Sequence, residues 1–354
     1  MKIIITGMNK NQCVEDFYLR QQLKVVPSHY SLIRCLRDMG HEVEQRVVEF
    51  GEDLSQYDEA IVFIHNPSGF AGYVYNALYA ISQKPNCILA FDDWQTDSIY
   101  DGLMALKDDA KLFREFVVDS HEKIPGNYIE YANAYKRGLE IVESRRNRML
   151  LSAFAGGDLS LLIDYPADRL FSYNPNPYHL NRKPGQYGDK GELDNTVPVL
   201  PENKEFKLSF ASLVQGKTKK WLKNQHITKW LVEYFGSRKD GQDRLTEGEM
   251  CKVYAKHWAA LMPGYFHAGS GWWRARPLQC ADTGTIIVGD YKELVVLYGK
   301  ENADLCSVKV SDLENMSVAD LADFAKNQRD ALYATHPLDK QVQQNELNKV
   351  LNAK

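Results

Sequence analysis

No apolar run in this 354-residue chain approaches the roughly 20 residues needed to cross a bilayer, so no membrane span is expected. The opening stretch Ile3-Ile4-Ile5 is too short for the core of a secretory leader, and none is expected. The cysteines, Cys13, Cys35, Cys87, Cys251, Cys280 and Cys306, form no Cys-x-x-Cys pair. That argues against a zinc site or a disulfide framework and for reduced, mostly buried thiols in a cytoplasm. The nine histidines lack any H-x-x-x-H spacing, there is no Asp-x-Asp, and the P-loop spacing G-x-x-x-x-G-K-[ST] is missing. A strong basic field is missing too. Net charge is −4 with a pI near 6.2, so any nucleic-acid site has to be a local patch. No repeat of 20–50 residues is visible. What remains is an ordinary soluble composition, 44% hydrophobic and 25% charged, at a length that suits two domains.

Short apolar runs alternate with amphipathic segments. Lys2 to Gly7 reads as a buried parallel strand ending in a glycine turn. Leu32, Cys35, Leu36 and Met39 recur at helical spacing, with Ser28 placed to cap the start and Gly40 the end. Strands are expected at 41–50, 58–65 and 86–91, with a helix at 71–83. Residues 103–147 read as mainly helical, and strands follow at 149–154 and 169–173. The stretch 174–205 carries Pro175, Pro177, Pro184, Pro198 and Pro201 and reads as a connector. A second α/β series has strands at 207–213, 230–236, 258–262 and 285–289, and the tail 317–354 is helical and polar. Two α/β halves with a proline-rich joint suggest two Rossmann-like domains facing a cleft. Ligands of such sheets bind just beyond the carboxyl ends of the strands.

Three stretches stand out, the first two at such ends. Phe91-Asp92-Asp93-Trp94 puts carboxylates after a strand, where one serves as a general base or simply caps a turn. Ser209 to Lys220 runs from a strand into a small-residue turn with Ser212, Gly216, Lys217 and Lys219. It offers backbone N–H groups and cations to a phosphate, or is a solvated helix start. Gly269-Ser270-Gly271-Trp272-Trp273-Arg274-Ala275-Arg276-Pro277-Leu278-Gln279 is the densest candidate. Its glycines allow close backbone approach, Arg274 and Arg276 suit phosphate, and Gln279 suits sugar hydroxyls; the alternative is a structural loop with surface arginines. The basic clusters at 136–148, with Lys136, Arg137, Arg145, Arg146 and Arg148, and at 217–229 either contact a phosphate backbone or face solvent.

These residues resemble the T-even phage β-glucosyltransferase family, which glycosylates 5-hydroxymethylcytosine in DNA. The resemblance runs over nearly the whole chain. It is carried by Met1 to Met8, by Val26-Pro27-Ser28 with the helix to Asp38-Met39-Gly40 and the strand with Val43, by Tyr57 to Val62, and by Phe235-Gly236. Phe91-Asp92-Asp93 falls where the family has Phe-Thr-Asp, which implies Asp93 as catalytic base. Arg276-Pro277-Leu278-Gln279 falls on the family's Arg-x-x-Glu, which implies contacts to diphosphate and ribose. The family's Gly-Ser-Phe-Arg loop stands here as Ala211-Ser212-Leu213-Val214, so the loop arginine is missing and Lys217 or Lys219 substitutes. The helical tail resembles the C-terminal crossover of two-domain GT-B enzymes.

The resemblance implies an α/β protein of GT-B architecture. Residues 1–175 with a C-terminal helix at about 330–354 form an acceptor and DNA-binding domain, and 205–325 bind the UDP-sugar. The donor-binding residues are Ser212, Gly216, Lys217, Lys219, Gly271, Arg274, Arg276 and Gln279. The donor is UDP-glucose or UDP-arabinose, and no motif requires a divalent metal. The partner is double-stranded DNA containing 5-hydroxymethylcytosine, and the setting is the cytoplasm of an infected bacterium, with the chain a monomer. The rivals are a glycosyltransferase for a small molecule or polysaccharide, and a non-catalytic DNA-binding protein with the same fold.

Overall fold

A computed structural model describes residues 1–7, 28–64, 71–91, 96–123, 127–152, 165–173, 200–210, 231–234, 247–262, 276–335 and 339–353. The described residues group into two units, one built from those up to 173 together with 339–353, the other from 200–335.

The first unit holds strands β1 (Lys2–Thr6), β2 (Glu42–Gln45), β3 (Glu59–Phe63), β4 (Ile88–Phe91), β5 (Arg148–Ser152) and β6 (Leu170–Tyr173). They form one sheet in the order β2-β1-β3-β4-β5-β6, with every pair parallel. Its helices are α1 (Ser28–Asp38), α2 (Ala71–Gln83), α3 (Thr96–Asp108), α4 (Ala110–Lys123) and α5 (Tyr128–Glu143). Successive strand residues bury on opposite faces, as a period of two requires. Ile4, Val62, Leu89 and Met149 meet α2 to α5, while Ile3, Ile5, Ile61, Phe63 and Leu150 meet α1. Both faces are therefore covered, which explains why these strands read as unbroken apolar runs. Gly138 lets α5 approach α2, since a Cβ there would lie 2.6 Å from the Leu78 carbonyl oxygen.

The second unit holds β7 (Glu205–Phe210), β8 (Leu231–Tyr234), α6 (Glu247–Lys256), β9 (His257–Met262), α7 (Arg276–Thr283), β10 (Ile286–Gly289), α8 (Tyr291–Tyr298), α9 (Lys300–Cys306), α10 (Val310–Leu313) and α11 (Val318–Thr335). Its four strands are also all parallel, in the order β10-β9-β7-β8. Ala260, Met262 and Ile287 pack under α6, α7 and α8, and Leu208, Leu261, Ile286 and Val288 pack under α10 and the first half of α11. The edge of β10 is sealed by Gln328 of α11. Its Oε1 accepts from the Ile287 N–H (2.7 Å), and its Nε2 donates to the Ile287 carbonyl (2.9 Å) and the Cys306 carbonyl (2.8 Å).

After α11 the chain returns to the first unit. Helix α12 (Lys340–Asn352) sets Leu347 and Val350 among Ile3, Ile5 and Leu36 on the α1 face of the first sheet. Arg148 fixes the end of that helix. Its Nη1 donates to the carbonyls of Val350 (3.1 Å) and Leu351 (3.5 Å), and its Nη2 pairs with Glu59 at 2.7 Å. A cation at a helix carboxyl end is favourable, and the carboxylate balances its charge.

Several expectations shift. The strand expected at 41–50 stops at Gln45: the Arg46 N–H still bonds the Ile5 carbonyl of β1 (3.2 Å), while its side chain joins Glu44, Glu52 and the Tyr57 hydroxyl. The region 103–147 is three helices and starts earlier, at Thr96. Of the cysteines expected as buried thiols, Cys35, Cys87, Cys280 and Cys306 are buried and in no disulfide, and burial pushes the Cys306 thiol up to about 11. Cys13 and Cys251 lie outside what the structure describes at side-chain level. Among the described residues no helix is long and apolar enough to cross a membrane.

Candidate functional site

Both sheets reverse direction at one place. In the first, β1 leads outward to β2, and the chain then crosses to β3, so the switch lies between β1 and β3. In the second, β7 leads to β8 and then crosses to β9, so the switch lies between β7 and β9. Ligands of open parallel sheets sit outside the carboxyl ends of strands at such switches.

At the first switch Gly7 closes β1. Its φ is +85°, and a Cβ there would lie 2.1 Å from the Phe63 carbonyl oxygen of β3. Among the described residues no other combines that backbone with that approach. One strand further along, β4 ends at Phe91, two residues before Asp93. Asp93 itself lies outside the described residues.

At the second switch the candidate phosphate stretches follow the two flanking strands in sequence. β7 ends at Phe210, one residue before Ala211-Ser212, and β9 ends at Met262, ahead of the stretch with Gly271 and Arg274. Ser212, Gly216, Lys217, Lys219, Gly271 and Arg274 lie outside the described residues, as does the side chain of Arg276. The backbone of Arg276 opens α7, with Pro277 in its first turn, where a missing N–H breaks no helical bond. The chain is thus helical from Arg276 through Gln279. Gln279 falls in its first turn and is 4% exposed. Because β9 and β10 are parallel, α7 runs back between them, with its amino end toward the carboxyl edge of the sheet.

The opposite end of α7 is held by groups that nothing local in the sequence announces. Lys204, just before β7, is 7% exposed, and its Nζ donates to the carbonyls of Thr283 (2.9 Å) and His257 (3.4 Å). The ammonium also lies 5.5 Å from the Trp258 ring centroid. Burial lowers its pKa to about 8, with a small opposing effect from Cys280. Beside it the Thr285 hydroxyl donates to the Tyr254 carbonyl (2.5 Å) and meets the Thr283 hydroxyl (3.0 Å). From α11 the Tyr333 hydroxyl donates to Asp282. Ser209 and His257 Nδ1 share a buried hydrogen bond of 2.7 Å.

The basic run before β5 requires a correction. Arg148 is 7% exposed and committed to Glu59 and the end of α12, so it does not offer its charge to a phosphate backbone. Arg145 donates to the Tyr100 hydroxyl (3.2 Å), while Lys136, Arg137 and Arg146 are exposed. Arg145 and Arg146 precede β5 and Arg148 opens it, which puts them at the amino edge of the sheet, away from the edge where ligands sit. Among the described residues no group of three or more His, Cys, Asp or Glu is placed to hold a metal ion.

Comparison with known proteins gives no matching family model and no match among curated sequences. Among solved structures, T4 phage BGT in complex with its UDP-glucose substrate matches with a TM-score of 0.59 at 13% identity, over 99% of this chain and 100% of that one. T4 phage BGT with UDP and Mn2+ matches at 0.57, with the same identity and coverage. A third structure, of the DNA modifying enzyme β-glucosyltransferase, matches at 0.55 and 12% identity with that coverage too. At these identities the likeness concerns the fold. Over 99% of its length, this chain has the fold of the T4 phage β-glucosyltransferase.

Proposed function

We propose that this chain transfers a sugar, glucose or a pentose such as arabinose, from a UDP-sugar to the hydroxymethyl group of 5-hydroxymethylcytosine in double-stranded DNA. One observation carries the reading. Two parallel sheets, each with its own switch point, follow end to end the fold of a DNA modifying enzyme solved with UDP-glucose. The resemblance at Asp93 and at Arg276 to Gln279 supports it: Asp93 follows the carboxyl end of β4 by two residues, and Arg276 opens α7.

In this reading residues 1–175, with the returning C-terminal helix, bind the acceptor, and 205–325 bind the donor. Asp93 takes the proton of the hydroxymethyl group as its oxygen attacks the anomeric carbon, and the bond from that carbon to UDP breaks. A positioned carboxylate near the hydroxyl is sufficient, because the proton leaves during attack. Arg276, Arg274, Lys217 and Lys219, with Ser212 and the backbone at Gly216 and Gly271, hold the diphosphate as its charge grows. Gln279 holds the ribose. The target base leaves the duplex to reach Asp93, at a cost of a few kcal/mol. The chain acts as a monomer in the cytoplasm of an infected bacterium.

The test is mass spectrometry of hydroxymethylcytosine DNA after incubation with a panel of UDP-sugars. A mass gain of one hexose or one pentose per modified base is expected with one donor. No gain with any donor, alongside measurable UDP binding, would favour a non-catalytic protein. Gain on a small-molecule or polysaccharide acceptor alone would move the acceptor.

A further inference from the structure

The donor reading uses the amino end of α7, yet Lys204, Thr283, Thr285 and Tyr333 gather at its carboxyl end. Lys204 bonds the carbonyl of the last residue, Thr283, and Tyr333 bonds Asp282 one residue earlier. The Thr283 hydroxyl folds back on the Gln279 carbonyl at 2.7 Å and on the Cys280 carbonyl at 3.2 Å. The partners come from the segment before β7 and from the last turn of α11, so two distant stretches converge on one helix end.

A helix of eight residues is about 12 Å long and marginal by itself, so its place depends on its contacts. We propose that Lys204 and Tyr333 are positioning residues for the donor site, holding the carboxyl end of α7 and thereby fixing its amino end, where Arg276 and Gln279 sit. The inference rests on the donor reading above. Lys204 is well suited to this role, because its charge meets the negative end of the helix and, among the described residues, it pairs with no carboxylate. The groups around it are the Thr283 and His257 carbonyls, the Trp258 ring and Cys280. Removing its charge therefore leaves no buried counter-ion behind. Without the clamp, the competent placement of α7 is populated only part of the time, and apparent affinity falls in proportion to that fraction.

The experiment is calorimetry with UDP on the full chain, with thermal unfolding of the same samples without nucleotide. Lys204→Met is expected to weaken UDP binding about tenfold and Tyr333→Phe about threefold, as competent fractions of about 0.1 and 0.3 would give. Melting temperatures should stay within about 2 °C of the parent. Arg276→Ala serves as the control. If the parent does not bind UDP, or Arg276→Ala binds as the parent does, the donor reading itself falls and this inference goes with it. If Arg276→Ala weakens binding while both positioning variants match the parent, only this inference is overturned. Affinity losses that merely track lost stability also overturn it. Should Lys204→Met fail to fold, the milder Tyr333→Phe decides alone.

Discussion

Each unit ties down the carboxyl end of one helix with a buried cation at the amino edge of its sheet. In the first unit Arg148 holds the end of α12, and in the second Lys204 holds the end of α7. The cations differ in company. Arg148 is paired with Glu59, both side chains nearly buried at 9% and 12% exposure, whereas Lys204 is surrounded by carbonyls, a thiol and an indole ring. A charge pair locks both members in place, because losing either strands the other in a poor solvent. A lone ammonium on carbonyl dipoles can be removed more cheaply. The two clamps should therefore differ in what their loss costs the fold.

The comparison breaks most directly at Arg148. Arg148→Met should destabilise the fold by roughly 3–5 kcal/mol, since Glu59 is left buried without its partner. Denaturant unfolding checks this, and adding Glu59→Gln should recover part of the loss. If Arg148→Met costs no more than Lys204→Met, the contrast between the two clamps is void.

The next effect separates chemistry from binding. Asp93→Asn keeps the shape and removes the base, so turnover on hydroxymethylcytosine DNA should fall at least ~100-fold. UDP affinity, assigned to the other unit, should be unchanged by calorimetry. A parallel loss of both would blur the division of labour.

In the second unit Arg276→Ala should weaken UDP and UDP-sugar alike by roughly 10- to 150-fold, the value of a charged hydrogen-bond partner of about 1.5–3 kcal/mol. Gln279→Ala should cost less, about 0.5–1.5 kcal/mol for a neutral amide contact, measured in the same titration. A reversed order would mean that α7 meets its ligand in another register.

The strands were legible in the sequence wherever both faces are buried. Ile3-Ile4-Ile5 and Ala60 to Phe63 needed no partner to be recognised, because every position is apolar. The clamps were not legible in this way. Lys204 lies at the end of a proline-rich stretch, and its Thr283 partner is 79 residues away. Arg148 sits in a basic run that reads as a surface, and its Val350 partner lies 202 residues on. Gln328 looks like any polar position on an exposed helix until the edge of β10 is placed beside it. Local patterns register periodicity and turn chemistry, whereas these residues are defined by carbonyls that only the folded chain delivers. Helix α6 and the short helices between 291 and 313 escaped for a related reason: tertiary packing, more than propensity, sustains such short segments.

The return of α12 to the first sheet bears on how the chain is made. Leu347 and Val350 fill a place among Ile3, Ile5 and Leu36, so the surface that β1 and α1 create early in synthesis stays open until the far end of the chain arrives. The described residues of the second unit all fall between 200 and 335, so it has no such wait. During translation the domain begun first is therefore finished last, carrying an exposed apolar groove through some 300 residues of elongation, about 15–60 s at ribosomal speed.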